Sequence, residues 1–292
     1  MRVVKATQYL LRSPTFVTSD GETPADCTST AVAAVVNGAG TTLTAPTVAT
    51  AGSGTGQYDA TLTAATHTAA IDKLTVTWTG TTTTGGLQTY VQEVDVVGGH
   101  VVTLAELRAE PNMSEPAMVP KRLLEELRDE FTTLAEDYCS RAFVRSYQRD
   151  TLPGNGTRRL VLTKMQPRTV TAVTVDGTAK TATDYSVTPE GFVVCENDAF
   201  PLPPADTPLN CIVAYEYGPD ATPPGIARAA KVWIRRRALA RSAKTPSDAI
   251  SETVDGVQVR FSTPDWERGR PTGMLDVDAA LNAAGRGLPA IA

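Results

Sequence analysis

Hydrophobic and polar positions alternate along the first hundred residues of the chain. Polar residues alternate with apolar ones over 56–62 and 74–79, and Gly and Pro divide the segment into short pieces. This period is typical of strands that bury one face, and short strands at such close spacing are typical of a sandwich. Residues 1–100 therefore form a predicted all-β domain, with Trp78 as a core aromatic. The predicted strands are 31–36, 56–62, 74–79 and 90–97.

Beyond residue 99 the hydrophobic period changes to that of a helix. Thr103 followed by Glu106 has the spacing of a capping box, which predicts the start of a short helix. A long amphipathic helix begins near Pro120, and another helix follows Pro223-Pro224, since proline is tolerated in a first turn. The residues predicted to pack these helices together are Leu124, Leu127, Phe131, Leu134, Tyr138 and Trp233.

A β segment separates the long helix from the helix that follows it. Alternating runs over 158–217 predict a small antiparallel sheet, and Asp176-Gly177 has the sequence of a hairpin turn. The last residues are punctuated by Gly and Pro, with a candidate strand around Asp255-Gly256. The fold class is therefore α+β. The predicted domains are 1–100, 101–245 with the β insert, and a C-terminal extension at 246–292.

Composition and charge limit the classes of function. With 292 residues, the chain is long enough for about two domains. Its formal net charge of −5 argues against a protein that holds nucleic acid by bulk charge. No window has the apolar length of a membrane span, and the N-terminus lacks the apolar core of a signal peptide. We expect a protein that acts in a cytoplasm or in a particle assembled there, with no membrane partner.

Candidate chemistry is sparse. His67 and His100 have no Cys or carboxylate cluster nearby, and the Gly-rich stretch 52–56 lacks the lysine of a phosphate loop. The acids of the long helix, interleaved with Arg128, indicate a solvated face that also includes Thr132. The sequence thus predicts no catalytic residue, no metal and no cofactor. The four cysteines, whose spacing fits no zinc or redox motif, are Cys27, Cys139, Cys195 and Cys211. We expect them to be buried or half-buried thiols, and a disulfide between Cys195 and Cys211 is a disfavoured alternative.

The helix after Pro224 is the one strong electrostatic feature, because its cations have no acid between them. Three explanations are open. The cations form a solvated face near the favourable end of the helix dipole, an interface with an acidic neighbour such as the long helix of another copy, or a contact with nucleic-acid backbone. Arg237 and Arg241 fall on the apolar side and need partners. The candidate interface residues are Arg228, Lys231, Arg235, Arg236, Arg237 and Arg241.

Several short pieces follow one another in a set order over 103–281. They are TLAELR at 103–108, YCSRAFV at 138–144, PRTV at 167–170, VTVDG at 173–177, YSV at 185–187, YEYG at 215–218, a Pro pair at 223–224, TGM at 272–274 and VDAAL at 277–281. By this order and spacing, about two thirds of the chain resembles the head-to-tail connector (adaptor) proteins of tailed bacteriophages.

The resemblance implies a structural protein of the virion neck and not an enzyme. Such adaptors form a ring, usually of twelve copies, on the portal protein at the capsid vertex, and the opposite face receives the next neck or tail protein. Double-stranded DNA passes through the ring without sequence-specific contacts. The resemblance makes Val277, Asp278 and Leu281 a candidate portal-docking segment. The N-terminal β domain departs from simpler members and looks like an Ig-like addition.

Another function is open beside the adaptor. An Ig-like binding or adhesion module of a virion fibre or surface protein would place its ligand site within residues 1–100 and would not require a ring. An enzyme is disfavoured, because the sequence offers no cluster of polar residues suited to catalysis.

Overall fold

The computed structural model describes residues 1–29, 31–50, 55–82, 84, 86–196, 198–204, 209–242, 251–254, 257–260 and 271–285. Strands and helices occupy separate stretches, so the chain is α+β, as predicted. It divides into two compact units, each discontinuous in sequence. The β unit comprises Met1–Gly99 and Arg145–Gly218, and the helical unit comprises His100–Val144 and Pro219–Ala292.

The N-terminal part of the β unit contains two sheets. One has the strand order β1-β7-β6-β3, in which β1 runs parallel to β7, and the other has the order β2-β5-β4. Strand β6 alternates strictly, with Leu74, Val76 and Trp78 inward and threonines between them. The strands are β1 (Arg2–Val4), β2 (Tyr9–Arg12), β3 (Val32–Val36), β4 (Thr47–Thr50), β5 (Tyr58–Leu62), β6 (Asp72–Thr82) and β7 (Gly86–Val97).

Both sheets contribute to one apolar core. Trp78 is fully buried, as predicted, and its Nε1 donates to Oε1 of Gln92 at 3.1 Å. His67 is buried and structural, because its Nδ1 accepts from the Thr63 amide at 3.0 Å while Nε2 lies 2.9 Å from the Thr44 carbonyl oxygen. The Ig-like topology of this part stays a prediction.

Residues 145–218 add two antiparallel sheets, with the orders β11-β10-β14-β8 and β12-β13-β9, around a second apolar core. Asp176 and Gly177 have φ of 48° and 76°, the left-handed geometry of a tight hairpin turn, so the predicted hairpin is confirmed. The strands are β8 (Ser146–Leu152), β9 (Arg159–Val161), β10 (Pro167–Val175), β11 (Thr178–Lys180), β12 (Tyr185–Val187), β13 (Phe192–Cys195) and β14 (Cys211–Tyr217).

Asp150 on β8 is a buried carboxylate held by several donors. It accepts from the amide and hydroxyl of Thr163 at 2.8 and 2.6 Å, from the Tyr215 hydroxyl at 2.8 Å and from Nε2 of Gln148 at 2.8 Å. Burial raises the pKa of Tyr215, so its hydroxyl stays a donor. This network joins β8, β14 and the segment after β9.

The two parts of the β unit also contact each other directly. The Gly98 amide donates to the Arg145 carbonyl oxygen at 2.8 Å, and an Arg149 guanidinium N–H donates to the Gly38 carbonyl oxygen at 3.2 Å. A Cβ on Gly38 would lie 2.3 Å from the Tyr147 ring, so only glycine allows this approach. The segment that was predicted as an insert of the helical domain therefore packs on the N-terminal strands.

The helical unit contains four helices and a strand pair among its described residues. Helix α1 begins at a capping box, as predicted: the Thr103 amide donates to Oε2 of Glu106 at 2.8 Å, and the Glu106 amide donates to Oγ1 of Thr103 at 3.2 Å. The elements are α1 (Leu104–Arg108), α2 (Lys121–Cys139), α3 (Pro224–Ser242), β15 (Ser251–Val254), β16 (Val257–Arg260) and α4 (Leu275–Gly285).

The structure corrects the expected exposure of two α2 side chains and confirms the expected burial of the cysteines. Arg128 and Thr132 were expected in solvent but are buried, 5% and 2% exposed, because α2 is covered over a wider arc than its apolar residues alone define. The cysteines are free thiols; Cys139, Cys195 and Cys211 are buried and Cys27 is half-buried, as expected. The domain boundaries at 100, 245 and 246 stay a prediction.

Candidate functional site

The helical unit carries the residues that the sequence selected, and α2 lies at its centre. Leu124, Leu127 and Phe131 are fully buried, and the Phe131 ring lies 5.7 Å from that of the fully buried Trp233 on α3. Leu134 is half-buried. The interaction between the two rings stabilises the contact between α2 and α3 in addition to the free energy gained by burying their apolar surface.

Helix α4 packs against α2 and α3. Val277 and Leu281 are fully buried, the Tyr138 hydroxyl donates to Oδ1 of Asn282 at 2.6 Å, and Sγ of Cys139 lies 3.3 Å from the Leu281 carbonyl oxygen. The predicted docking segment therefore lies within the core of the unit, and the exposed side of α4 is formed by other residues, including Leu275 at 68% exposed. A portal-docking role for the segment stays a prediction.

Asp278 ties the segment before α4 to the helix. Its Oδ1 accepts from the amide and the hydroxyl of Thr272 at 3.0 and 2.7 Å, and the residue is 2% exposed. Its Oδ2 is buried without a hydrogen-bond partner among the described residues, as is Nε1 of Trp233. Two buried polar atoms of the helical unit therefore have no hydrogen-bond partner among the described residues, whereas most buried polar atoms in folded proteins have one.

Three cations of α3 are held by the helical unit itself. Nζ of Lys231 lies 3.3 Å from Oε1 of Glu106, and Nε of Arg235 donates to the Pro111 carbonyl oxygen at 3.0 Å. The Arg237 guanidinium lies 4.9 Å from the centroid of the Trp233 ring, which supplies the partner that its position on the apolar side requires.

Two further cations of α3 have exposed side chains. Arg228, Val232 and Arg236 are exposed and follow one another at intervals of four residues, so they lie along one side of the helix. We call these three residues the basic stripe. The side chain of Arg241 lies outside the described residues. The predicted six-residue interface thus separates into inward and outward groups.

Helix α2 presents an acidic counterpart on its own exposed side. Glu130, Thr133 and Asp137 are exposed at intervals of three and four residues, and we call them the acidic stripe. Neither Glu130 nor Asp137 makes an ion pair within the described residues, whereas Glu126, one turn earlier, pairs with Arg122 at 2.9 Å. Asp137 also lies in the last turn of α2, where the helix dipole disfavours negative charge.

Glu106 was not selected from the sequence as an interface residue, only as a cap. It links α1 to α3, because one carboxylate oxygen receives Lys231 while the other receives Thr103. These hydrogen bonds from Thr103, together with Lys231, hold its pKa below the ordinary value. The capping box gave a signal for the first contact, but nothing near Glu106 in the sequence indicates Lys231.

The described residues offer no arrangement suited to metal chemistry, since no group of three or more His, Cys, Asp and Glu side chains is placed to hold an ion. Most of the Gly-rich stretch 52–56 lies outside the described residues. Among the described helices, none combines the length and apolar character that crossing a bilayer needs. The exposed charges of α2 and α3 are the candidate site for association with a partner.

Comparison with known proteins gives loose likenesses only. No protein-family model matches the sequence, and no curated protein matches it. Among solved structures, the chain is similar to the neck of a native GTA particle with C12 symmetry, at 16% identity and a TM-score of 0.39, covering 65% of this chain and 94% of that one. It is also similar to the neck of an empty GTA particle with C6 symmetry, at 19% identity and a TM-score of 0.38, covering 50% and 80%. At these scores, the likeness by itself establishes neither fold nor function.

Proposed function

We propose that the chain is a structural component of a phage-type neck. In this proposal it is an adaptor that forms a ring, joins the portal protein to the next neck or tail protein and lines the passage for DNA. It performs no turnover. It would be located in the virion after assembly in the host cytoplasm.

The observation that carries the proposal is the order of the elements. The segments that resemble the adaptor family fold, in sequence order, into α1, α2, the strands β8 to β14, α3 and α4. Helices α2, α3 and α4 pack together, and two of them carry exposed stripes of opposite charge. A unit with complementary outer surfaces on one chain is suited to heterologous contacts, which form a ring when the rotation between neighbours closes.

The two units would divide the work within such a ring. The helical unit would supply the contacts between neighbouring copies and the wall of the DNA passage, which needs no sequence-specific contact. The surface of α4 around Leu275, with the buried Val277 and Leu281 behind it, would support the portal-facing end. The N-terminal β domain, residues 1–100, would be an addition to the adaptor.

Oligomeric state tests the proposal directly. The full chain should form closed rings with one copy number by light scattering after gel filtration and by negative-stain microscopy. Proteins that copurify with it from infected cells, identified by mass spectrometry, should include a portal protein. A chain that stays monomeric up to tens of micromolar and copurifies with no particle protein would contradict the proposal.

A binding module is the second candidate function, and one face of the β unit favours it. The outer face of β3, β6 and β7 exposes Val32, Leu87 and Val91 at 62%, 71% and 64%, between threonines of β6. Exposed apolar patches of this kind often mark binding sites. If the second candidate is correct, the full chain should bind a neutral glycan on an array and lose that binding as Val32→Lys/Val91→Lys.

A further inference from the structure

We infer that Asn37 is a site of spontaneous deamidation, in which the backbone nitrogen of Gly38 attacks the Asn37 side chain and Asp72 acts as the base. The site lies in the turn after β3 and belongs to the β unit, so the inference is independent of the adaptor proposal. Asparagine is among the thermolabile residues. A following glycine hinders the ring closure least, because it has no side chain.

The groups that the reaction needs are already in place around this turn. The Gly38 amide donates to Oδ1 of Asp72 at 3.0 Å, so the nucleophilic nitrogen faces a carboxylate that can accept its proton. The Thr41 amide donates to Oδ1 of Asn37 at 2.8 Å, where negative charge develops when Cγ is attacked. Partial burial raises the pKa of Asp72, which makes this carboxylate a stronger base than an exposed one.

The proposed reaction needs no reagent other than water. The Gly38 nitrogen forms a bond to Cγ of Asn37, and its proton passes to Asp72. The bond between Cγ and Nδ2 then breaks, and Nδ2 leaves as ammonia after receiving that proton, which yields a cyclic succinimide. Water opens the ring at one of its two carbonyl groups and gives an aspartate or an isoaspartate in place of the asparagine.

A second Asn-Gly pair in the β unit provides an internal comparison. Oδ1 of Asn155 also accepts from a backbone amide, that of Thr157, at 3.0 Å. The Gly156 amide, however, donates to the Phe200 carbonyl oxygen at 2.8 Å, and a neutral carbonyl oxygen is a much weaker base than a carboxylate. We therefore expect Asn37 to react faster than Asn155.

Deamidation would loosen the joint between the two parts of the β unit. Gly38 lies at that joint, because its amide donates to Asp72 and its carbonyl oxygen accepts from Arg149 on β8 at 3.2 Å. An isoaspartate adds a methylene group to the main chain, whose fixed dimensions set the position of the next residue. The product would therefore displace Gly38 from both partners and leave β8 less protected.

Peptide mapping by mass spectrometry of the full chain, incubated at neutral pH, tests the inference. Asn37 should deamidate at least about tenfold faster than Asn155, since a general base typically contributes on the order of a hundredfold or more. Asp72→Asn keeps an acceptor for the Gly38 amide but removes the base. It should slow the reaction at Asn37 to the level of Asn155 and leave the rate at Asn155 unchanged. In urea, where the fold is lost, the ratio of the two rates should fall toward one.

A matched control and a test of the structural consequence use the same incubation. Asp198→Asn makes the same change at an exposed acid of the β unit and should alter neither rate. Hydrogen exchange at the β8 amides should be faster in the incubated wild type than in fresh protein. In Asn37→Ser, which cannot form the succinimide, exchange should stay the same after incubation. Unaltered exchange in fully deamidated wild type would overturn the predicted loosening.

Three further outcomes would overturn the inference itself. Equal rates at Asn37 and Asn155 in the folded chain would mean that the turn gives its pair no advantage. An unchanged rate at Asn37 in Asp72→Asn would remove the carboxylate from the reaction. A folded chain that keeps Asn37 intact while Asn155 reacts would show that the turn protects the site.

Discussion

Asp150 in the β unit and Asp278 in the helical unit are both buried carboxylates, but their surroundings differ. Both oxygens of Asp150 are used, by donors on three parts of the chain. Asp278 uses one oxygen, and its Oδ2 has no hydrogen-bond partner among the described residues. The helical unit also exposes its charged stripes. The two parts of the β unit are joined by a backbone bond from Gly98 to Arg145 and by a bond from the Arg149 side chain to the Gly38 carbonyl oxygen. The two carboxylates therefore differ in how fully their oxygens are used, and the charges exposed on α2 and α3 make the helical unit suited to contact with a partner.

The comparison concerns polar groups and not the apolar cores, so core deletions should cost the same in both units. Phe16→Ala in the β unit and Phe131→Ala in the helical unit each remove a fully buried ring. Each should lower the free energy of unfolding of its unit by about 3–5 kcal/mol. Hydrogen exchange read by mass spectrometry separates the units. A much smaller loss for Phe131→Ala would mean that the helical core is loosely packed, which would break the comparison.

Replacing each buried carboxylate by an amide sharpens the contrast. Asp150→Asn would point an N–H₂ group at existing donors and should cost about 2 kcal/mol or more. Asp278→Asn keeps an acceptor for Thr272 and changes only the oxygen without a described partner, so it should cost less than about 1 kcal/mol. Urea unfolding of both variants gives the two values. Equal costs would show that the two carboxylates are equally engaged. Asp198→Ala, which removes an exposed acid of the β unit, is the control.

Loss of the α1 capping box should destabilise the protein less than the core and carboxylate substitutions do, and the contribution of Glu106 should depend on pH. Thr103→Ala should destabilise α1 by about 1 kcal/mol. Because the folded state lowers the pKa of Glu106, its contribution is present above the ordinary glutamate pKa and is lost as pH falls through the lowered value. Protection of the α1 amides, corrected for intrinsic exchange, should therefore fall in acid. In Glu106→Gln that dependence should disappear, and its persistence there would assign it to another group.

The smallest expected effects separate the inward from the outward cations of α3. Arg228→Glu changes an exposed residue and should alter the unfolding free energy by less than about 0.5 kcal/mol. Arg235→Glu loses the bond to the Pro111 carbonyl and should cost about 1 kcal/mol. Thermal unfolding at low protein concentration, where assembly does not contribute, measures both. A larger cost for Arg228→Glu would mean that the basic stripe also supports the fold.

The sequence predicted the elements that have strong local signals. The capping box at Thr103, the start of α2, the hairpin at Asp176-Gly177 and the helix after Pro223 all appear where their residues indicate. Strand β8 was not predicted, because its inward position is Asp150 rather than an apolar residue, and alternation gives no signal there. Strand β1 was missed because it pairs with β7, more than ninety residues along the chain.

Only part of the candidate site could be predicted, because the rest depends on contacts between residues that are remote in sequence. Periodicity located the cations of α3, but it could not indicate that Lys231 and Arg235 contact Glu106 and Pro111, more than a hundred residues earlier. Nor could it show that Val277 and Leu281, expected as a docking extension, are buried. Partners that are remote in sequence decide which charges stay outside. The acidic stripe emerged only when the buried positions of α2 were known.

The discontinuous path of the helical unit has a consequence for how the protein is made. The Tyr138–Asn282 bond joins residues 144 positions apart, so α2 leaves the ribosome long before α4 exists. At typical rates of translation that interval lasts roughly 10 s. The apolar side of α2 would therefore remain uncovered by α4 while the intervening strands are synthesised. Chains released before α4 is complete would expose it to solvent. Truncation before residue 275 should therefore yield aggregates or chaperone-bound chains rather than a shorter soluble protein.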